Sequence, residues 1–374
     1  MHHCGFALQV CGSHNTEKSR DVTPTRIAVI GAGLIGRKHL GILNSDPAFV
    51  VAAIADPAPA AADYAREHGF NLFTDTERML DEVKPDGVII ANPNALHRET
   101  AFACIARGIP AIVEKPVADT LADARAIVEA AARAKVPMLT GHHRRHNPIM
   151  QAARDFVASG ALGKLAAVTA TWLNKKPDDY FNVLWRREAG GGPILINAIH
   201  DIDCLRMVVG EIDTVQAMAA NNVRGFGVED TAAALLTFAN GALGTLIVSD
   251  AVASPWNWEV TSFEATMCPH EDENCFHVTG TKGGLAIPTL QHWSYDHDGC
   301  WTDPLTRRTL PVHRQDPYPR QLHHFARVIR GEEAPVIDVA EGTRTLAATL
   351  AIAESAKTGR PVRVADLLSG LSQD

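Results

Sequence analysis

A Gly-x-Gly-x-x-Gly run directly follows an apolar stretch at residues 26–30. In such a run the first glycine makes a tight turn, the second lets the backbone approach a pyrophosphate, and the third lets the following helix pack on the strand. The pattern therefore predicts a strand, a turn and a helix that together bind a dinucleotide. The residues expected to line this part of the cofactor site are Gly31, Gly33, Leu34, Ile35 and Gly36.

An acidic residue stands twenty positions after the last of these glycines. Asp56 ends a second apolar stretch at residues 49–55, and a carboxylate there can accept hydrogen bonds from both ribose hydroxyls of the adenosine. Pro57 and Ala58 come next, so no lysine or arginine directly follows Asp56 to bind the 2′-phosphate of NADP. The Asp56 carboxylate would also repel that phosphate. We therefore expect NAD rather than NADP.

Polar residues also follow three later apolar stretches. Because the carboxyl ends of parallel strands meet at one edge of a sheet, we expect these residues to face the dinucleotide together. For Glu114-Lys115-Pro116, spacing alone leaves a plain turn with a solvated ion pair as an equal alternative. The groups are Asn92-Pro93-Asn94, Glu114-Lys115-Pro116, and residues 141–147 with Arg144.

A glycine run at residues 190–192 opens a predicted helix over residues 194–209. On that helix Asn197, His200 and Asp203 share one face by their spacing of three residues. A neutral imidazole can take the proton of a hydroxyl whose carbon loses hydride. A single helical histidine is more often a packed or surface residue, so the residues alone leave this role open.

Aromatic and basic residues precede the helix. Aromatic faces stack on sugar rings, and amide and basic groups bind hydroxyl or anionic oxygens, so residues 171–188 predict a pocket for a polyol or sugar acid. A solvated loop is the alternative. The candidates are Trp172, Lys176, Tyr180, Trp185 and Arg186.

The order of strands and helices predicts two domains of an α/β protein. Strand and helix alternate from residue 25 to about residue 141, which predicts a doubly wound parallel sheet. Further strands at residues 165–172, 215–220, 231–238 and 243–249 predict an open, mostly antiparallel sheet in an α+β domain. Asn240-Gly241 is interpreted as a two-residue hairpin turn.

Composition narrows the class of protein. The chain has 374 residues, of which 46% are hydrophobic, and a net charge of −8, which argues against nucleic acid or an anionic membrane as partner. Seven cysteines without regular spacing predict a reducing, cytoplasmic location, and no metal site is expected. Residues 1–24 are interpreted as a disordered tail without a signal peptide or membrane anchor.

The motifs taken in order resemble those of the glucose-fructose oxidoreductase, inositol dehydrogenase and rhizopine-catabolism family (Gfo/Idh/MocA), over nearly the whole chain beyond the tail. The resemblance implies an NAD-binding Rossmann domain at residues 25–145, a substrate-binding and oligomerisation domain at residues 146–374, and a homodimer or homotetramer. The motifs are Gly31 to Gly36 with Asp56, Asn92-Pro93-Asn94 with His97, Glu114-Lys115-Pro116, and Gly190-Gly191-Gly192 before His200-Asp201-Ile202-Asp203.

The resemblance also implies roles for individual residues. Lys115 and His200 match the residues that handle the substrate proton, and which of them is the immediate base stays open. Members of the family often carry an aspartate one turn before the histidine, where this chain has Ile196. Asp201 or Asp203 is then the candidate to orient His200. By the same resemblance, His97 and Glu114 belong to the cofactor side, and Lys176, Tyr180, Trp185 and Arg186 line the active site. Arg144 and Asn197 are further candidates to bind the substrate, Asn197 through a hydrogen bond to one of its hydroxyls.

These observations predict an NAD-dependent dehydrogenase that oxidises a secondary hydroxyl of a sugar, cyclitol or sugar derivative by hydride transfer to nicotinamide. One alternative is an NAD-dependent glycoside hydrolase, acting by transient oxidation and elimination on an anionic glycoside such as a uronide or sulfo-sugar. A non-catalytic protein that senses NAD(H) is the other.

Overall fold

The computed structural model describes residues 23–265 and 267–370. The predicted tail, apart from its last two residues, lies outside the described residues.

The first sheet has six parallel strands in the order β3-β2-β1-β4-β5-β6. Helices connect successive strands, and strands of almost entirely apolar residues put this sheet in the interior. The strands are β1 (Thr25–Ile30), β2 (Phe49–Ala55), β3 (Leu72–Phe73), β4 (Gly87–Ile90), β5 (Ala111–Val113) and β6 (Met138–Thr140). The helices are α1 (Leu34–Ser45), α2 (Pro59–His68), α3 (Thr76–Val83), α4 (His97–Ala106) and α5 (Leu121–Ala134).

The second sheet has nine strands in the order β14-β13-β12-β11-β7-β10-β9-β8-β15. Its strands are β7 (Leu165–Leu173), β8 (Ile212–Ala220), β9 (Thr231–Phe238), β10 (Leu243–Ser249), β11 (Phe276–Gly280), β12 (Gly283–Ile287), β13 (Gln291–Ser294), β14 (Thr306–Thr309) and β15 (Val362–Arg363). The helices of this half are α6 (Pro148–Ala158), α7 (Ile199–Val208), α8 (Trp258–Thr261), α9 (Pro317–Ile329), α10 (Val339–Thr358) and α11 (Val364–Ser369). Short 3₁₀ turns occupy Asn94–Leu96, His143–His146, Asp178–Asn182 and Leu184–Arg187, and a π-helical turn occupies Ile194–Ala198.

The predicted fold class is confirmed, with two local corrections. Strands β8, β9 and β10 pair antiparallel, as expected of a mostly antiparallel sheet, but β7 lies parallel to β10. The turn between β9 and β10 has three residues, because Phe238 N–H donates to the Ala242 carbonyl. Only Gly241 in this turn has a positive φ, of 87°, whereas the predicted two-residue turn of type I′ needs two such residues.

The C-terminal helices return to the first sheet and complete its core. Leu322 and Phe325 of α9 are buried with β1 residues on one face, and Val339 and Leu346 of α10 are buried with α4 and α5 on the other. Gly87 in β4 allows this contact, because a Cβ there would lie 2.6 Å from the Ile329 side chain. Residues far apart in sequence thus fix the two sheets against each other.

One face of the second sheet packs on helices, and the other stays open. The packed face contacts α6, α7 and α10. The open face exposes large apolar side chains, among them Met218 at 79% and Leu235 at 58%. Across residues 23–265 and 267–370, none of the helices has the length and apolar character of a membrane span.

Candidate active site

The three glycines after β1 adopt the geometry that a dinucleotide turn needs. Gly31 has a φ of 94°, and a Cβ there would lie 2.5 Å from the Ala91 carbonyl oxygen. A Cβ on Gly36 would overlap the Gly31 carbonyl oxygen, whereas nothing lies within 4 Å of one on Gly33. The first and third glycines are therefore required by the fold, and the second leaves open space where a phosphate would approach.

Asp56 lies at the other end of this turn, in a cleft of about 860 Å³. Its carboxylate accepts hydrogen bonds from the N–H groups of Ala32 (2.7 Å) and Ala58 (2.8 Å). These two bonds orient both oxygens and leave each one free to accept a ribose hydroxyl. Gly31, Gly33 and Asn92 line the same cleft.

The residues around this cleft fit a dinucleotide. Asn92 donates from its amide to the Thr100 hydroxyl (2.9 Å), but its buried Oδ1 has no hydrogen-bond partner among the described residues. Leu34, the first residue of α1, exposes 91% of its surface, whereas Leu40 and Leu43 of the same helix are buried. A bound ligand could donate a hydrogen bond to Asn92 Oδ1 and cover the exposed side chain of Leu34.

His97 and Glu114 are placed behind the cleft, where they hold backbone in position. The two ring nitrogens of His97 lie 3.0 Å from the carbonyl oxygens of Asn92 and Pro116, so this ring joins the two strand ends. Its burial lowers its pKa. The Glu114 carboxylate pairs with His39 Nε2 at 2.8 Å. Burial would raise the pKa of Glu114, but the hydrogen bond from His39 brings it below its usual value.

Lys115 extends from the end of β5 towards the helix that carries His200. Its Nζ donates a 3.1 Å hydrogen bond to the carbonyl oxygen of Ile196, in the π-helical turn. Burial lowers the pKa of Lys115 to about 8; the nearby Glu114 opposes this shift, and Arg144 adds to it. A lysine with this pKa exchanges protons near neutral pH, as a buried catalytic lysine must.

Asn197 and His200 lie beside the Ile196 carbonyl with unsatisfied polar atoms. Asn197 Oδ1 and His200 Nδ1 are buried and have no hydrogen-bond partner within the described part of the chain. Burial, together with the positive charges of Lys115 and Arg144, holds the pKa of His200 well below its usual value. His200 is therefore a neutral imidazole at physiological pH. A substrate with hydroxyl groups would satisfy both orphaned atoms.

The two aspartates of the helix do not orient His200, contrary to the expectation from sequence. Asp201 accepts from Arg144 Nη1 at 2.8 Å. Asp203 accepts two hydrogen bonds from Arg145 Nε and one from its Nη2. The π-helical turn changes the residue spacing at the start of the helix, and each carboxylate faces an arginine of the 3₁₀ turn after β6.

The guanidinium of Arg144 is the centre of a buried ion network. It bonds Asp201 on one side and Glu259 Oε1 on the other, both at 2.8 Å. Glu259 also accepts from Trp172 Nε1 at 2.8 Å. Burial raises the pKa of Asp201 to about 7 even though Arg144 opposes this shift. The two terminal nitrogens of Arg144 and the indole nitrogen of Trp172 are therefore already paired with carboxylates.

The remaining candidates for substrate binding form an aromatic and cationic group on the segment after β7. Lys176 Nζ lies 3.3 Å from Asp250 and 4.8 Å from the centre of the Tyr180 ring. The Arg186 guanidinium lies 3.9 Å from the same ring, and Trp185 is half exposed. The segment is thus tied to the second sheet through Asp250.

Three residues outside the set of site candidates named from sequence contribute to the site. His39 positions Glu114, Glu259 joins Arg144 to Trp172, and Asp250 pairs with Lys176. Glu259 stands in a Trp-Asn-Trp-Glu run that marks it as unusual. The other two have no local signal, because their partners are more than 70 residues away in sequence.

Comparison with known families matches both halves of the chain. Residues 25–142 match the oxidoreductase family with an NAD-binding Rossmann fold, and residues 150–286 match the C-terminal domain of GFO/IDH/MocA proteins. The chain is 30% identical to 1,5-anhydro-D-fructose reductase of Ensifer adhaerens over 91% of its own length and 98% of that protein. It is 26% identical to scyllo-inositol 2-dehydrogenase (NAD⁺) of Bacillus subtilis, over 91% of its own length and 96% of that protein.

Solved structures share the fold. The WlbA dehydrogenase of Bordetella pertussis, crystallised with NADH and UDP-GlcNAcA, superposes with a TM-score of 0.75 at 23% identity, over 94% of this chain and all of that one. An oxidoreductase from Desulfitobacterium hafniense superposes with a TM-score of 0.80 at 20% identity, over 93% of this chain and 99% of that one.

Proposed function

The chain belongs to the GFO/IDH/MocA family of NAD-binding oxidoreductases, and we propose that it oxidises a secondary hydroxyl of a neutral sugar, cyclitol or sugar derivative. The observation that carries this proposal is the juxtaposition of Lys115 Nζ with the Ile196 carbonyl, beside the unsatisfied Asn197 Oδ1 and His200 Nδ1. An amine that exchanges protons near neutral pH, next to two buried polar atoms that lack a hydrogen-bond partner among the described residues, suits a hydroxyl substrate.

The cofactor side of the proposal rests on the first sheet. The pyrophosphate would lie against the turn at Gly33, the adenosine ribose against Asp56, and a polar group of the bound nucleotide against Asn92. Bound NAD supplies the acceptor for the hydride that leaves the substrate carbon.

Lys115 is the immediate base in this proposal. Its pKa of about 8 makes a useful fraction of the amine neutral at physiological pH, whereas the pKa of His200 lies well below its usual value. The neutral Lys115 amine accepts the hydroxyl proton. The His200 ring orients the same hydroxyl by a hydrogen bond, and Asn197 binds a neighbouring one.

Charge pairing favours a neutral substrate over a uronide or sulfo-sugar. Arg144 is neutralised by Asp201 and Glu259, and Lys176 by Asp250. An anionic substrate would have to compete with these carboxylates. The printed names of several relatives, which act on anhydrofructose, levoglucosan or inositol, also point to neutral cyclic polyols.

A substrate panel tests the proposal. Incubation with NAD⁺ and a set of sugars, cyclitols and glycosides should give a steady rise in NADH absorbance with at least one neutral polyol. Release of a sugar without net NADH would instead identify a hydrolase. Nucleotide binding without either reaction would identify a sensor, and each of these two outcomes would refute the proposal.

We also propose that the protein is a homo-oligomer through the open face of the second sheet. Met218, Leu235, Leu243 and Ile247 expose apolar surface there, and contiguous apolar surface of this kind favours association. Light scattering coupled to size-exclusion chromatography should report a dimer or tetramer that Leu235→Asp dissociates. A wild-type monomer would refute this point.

A further inference from the structure

The glycine run at residues 190–192 has no part in the roles assigned above, although two other segments approach its backbone closely. A Cβ on Gly191 would overlap the carbonyl oxygen of Trp185. A Cβ on Gly192 would overlap the carboxylate of Glu229. The run therefore leaves room for a carboxylate directly in front of the π-helical turn that faces the proposed substrate.

Glu229 binds the first residue of that turn. Its side chain is half-buried, and its Oε1 accepts a 3.1 Å hydrogen bond from the N–H group of Ile194. The first N–H groups of a helix have no acceptor within the helix, so Glu229 satisfies one of them from 35 residues away in sequence. Burial raises the pKa of Glu229, and the bond from Ile194 opposes this shift. The carboxylate is thus a cap on the turn.

Two more hydrogen bonds connect the cap to Lys115. The Gly192 carbonyl accepts from the Ile196 N–H group at 3.1 Å. The Ile196 carbonyl in turn accepts from Lys115 Nζ, also at 3.1 Å. A displacement of the backbone at Gly192 or Ile194 would therefore displace the group that binds the lysine.

The second sheet holds Glu229 in place. Glu229 directly precedes Asp230, whose N–H group donates to the Ala220 carbonyl at 2.9 Å and whose carbonyl accepts from the Asp250 N–H group at 3.0 Å. The buried Asp230 carboxylate accepts two further N–H groups of the preceding loop. The cap therefore extends from the fixed end of a strand, which supports a site more precisely than a free loop does.

We propose that Glu229 is a positioning residue, which holds the π-helical turn where the Ile196 carbonyl meets Lys115 Nζ. The inference rests on the proposed function, in which Lys115 is the base. Glu229 acts on the backbone of the turn, and Gly192 is a glycine because the carboxylate occupies the space of its Cβ. The amine is then directed to one position in every cycle, and a misplacement of about 1 Å can cost on the order of a hundredfold in rate.

Two substitutions separate the contact of Glu229 from its charge. Glu229→Gln removes the charge but keeps an oxygen that can accept from Ile194. Glu229→Asp keeps the charge, but it is one methylene shorter and its oxygens fall short of Ile194. The charged groups that act on Lys115 are Glu114, Arg144, Lys176 and Glu259, and those that act on Glu229 are Asp250 and Lys176.

The first test needs no substrate. NMR of the full chain labelled with ¹³C at the lysine Cε follows the titration of Lys115, whose signal is assigned by its loss in Lys115→Met. The wild-type midpoint should lie near the pKa of about 8. Glu229→Asp should lower it by at least about half a pH unit, because the bond to the Ile196 carbonyl favours the charged amine and is weakened. Glu229→Gln should keep the wild-type midpoint.

Two outcomes of this titration would overturn the proposal. An unchanged midpoint in Glu229→Asp would show that the cap does not hold the acceptor of Lys115. An equal shift in Glu229→Gln would show that the charge of Glu229 matters and its contact does not.

The second test measures turnover. Glu229→Asp should lower kcat roughly tenfold or more with little change in the KM for NAD⁺, and Glu229→Gln should retain most of the wild-type kcat. Gly192→Ala should reproduce the loss because its methyl group displaces the carboxylate, and it should add little when combined with Glu229→Asp. A wild-type kcat in Glu229→Asp, or the same loss in Glu229→Gln, would refute the positioning role.

A control distinguishes positioning from stability alone. Asp338 is an exposed carboxylate that caps α10 by accepting from the Glu341 N–H group at 2.8 Å. Asp338→Ala should lower the Tm and leave kcat and the titration of Lys115 unchanged. If Glu229→Asp does not fold, Gly192→Ala takes its place in both tests, with the same expected and contrary results.

The two tests separate this inference from the proposed function. If no compound in the panel reduces NAD⁺, the proposed function fails, and the lysine titration still decides whether Glu229 holds the acceptor of Lys115.

Discussion

Replacement of Lys115 gives the most direct test of which group takes the substrate proton. A pKa of about 8 means that about a tenth of the amine is neutral at pH 7, about half at pH 8 and nearly all above pH 9. Only the neutral amine accepts a proton. The rate of oxidation should therefore rise with pH, about fivefold between pH 7 and pH 8, and level off above pH 9.

Two variants separate the base from the charge. Lys115→Arg keeps a cation but cannot lose its proton, and Lys115→Met removes both cation and base. Each should lower kcat/KM by roughly 10²–10⁴-fold and abolish the rise between pH 7 and pH 9, while NAD⁺ still binds. The assay is the initial rate of NADH formation over a pH series, with calorimetry to confirm cofactor binding.

His200→Gln is the matched control for this assignment. It should lower kcat roughly a hundredfold because a hydrogen bond to the hydroxyl is lost, but the rise near pH 8 should persist. The reasoning is refuted if the rise disappears in His200→Gln and survives in the Lys115 variants, since the histidine would then be the base.

Four further substitutions test the cofactor turn and the ion network. Asp56→Ala should weaken NAD⁺ binding by roughly 1.5–3 kcal/mol with little effect on kcat at saturating cofactor, as measured by calorimetry and kinetics. Gly33→Ala should keep the wild-type Tm and lose NAD⁺ affinity, because its Cβ meets open space in the protein, whereas Gly36→Ala should lower the Tm because its Cβ overlaps backbone. Arg144→Met should destabilise the fold by roughly 1–3 kcal/mol in denaturant titrations, because Asp201, whose pKa is already about 7 beside the arginine, takes up a proton while it and Glu259 each lose a hydrogen bond. A variant as stable as wild type would show that the network is dispensable.

The sequence determined the parts of this protein that depend on neighbouring residues. The glycine spacing, the acidic residue after β2 and the apolar strands specify the dinucleotide turn, because each operates within one strand-turn-helix unit. Strands β9 and β10 were predicted with the bounds that the structure has. Their signal is the alternation of residue types along a strand, which a short window of sequence contains.

Tertiary structure decided how the polar residues are paired. Lys115 meets the Ile196 carbonyl 81 residues away, and Arg144 meets Glu259 115 residues away. Such contacts depend on how the two sheets are packed and on a π-helical turn that shifts the helix face. Charged side chains in one segment carry no information about their partners in another. The motifs therefore indicated a dinucleotide and a hydroxyl substrate, whereas the low pKa of Lys115 and the neutral state of His200 arise only from burial among distant residues.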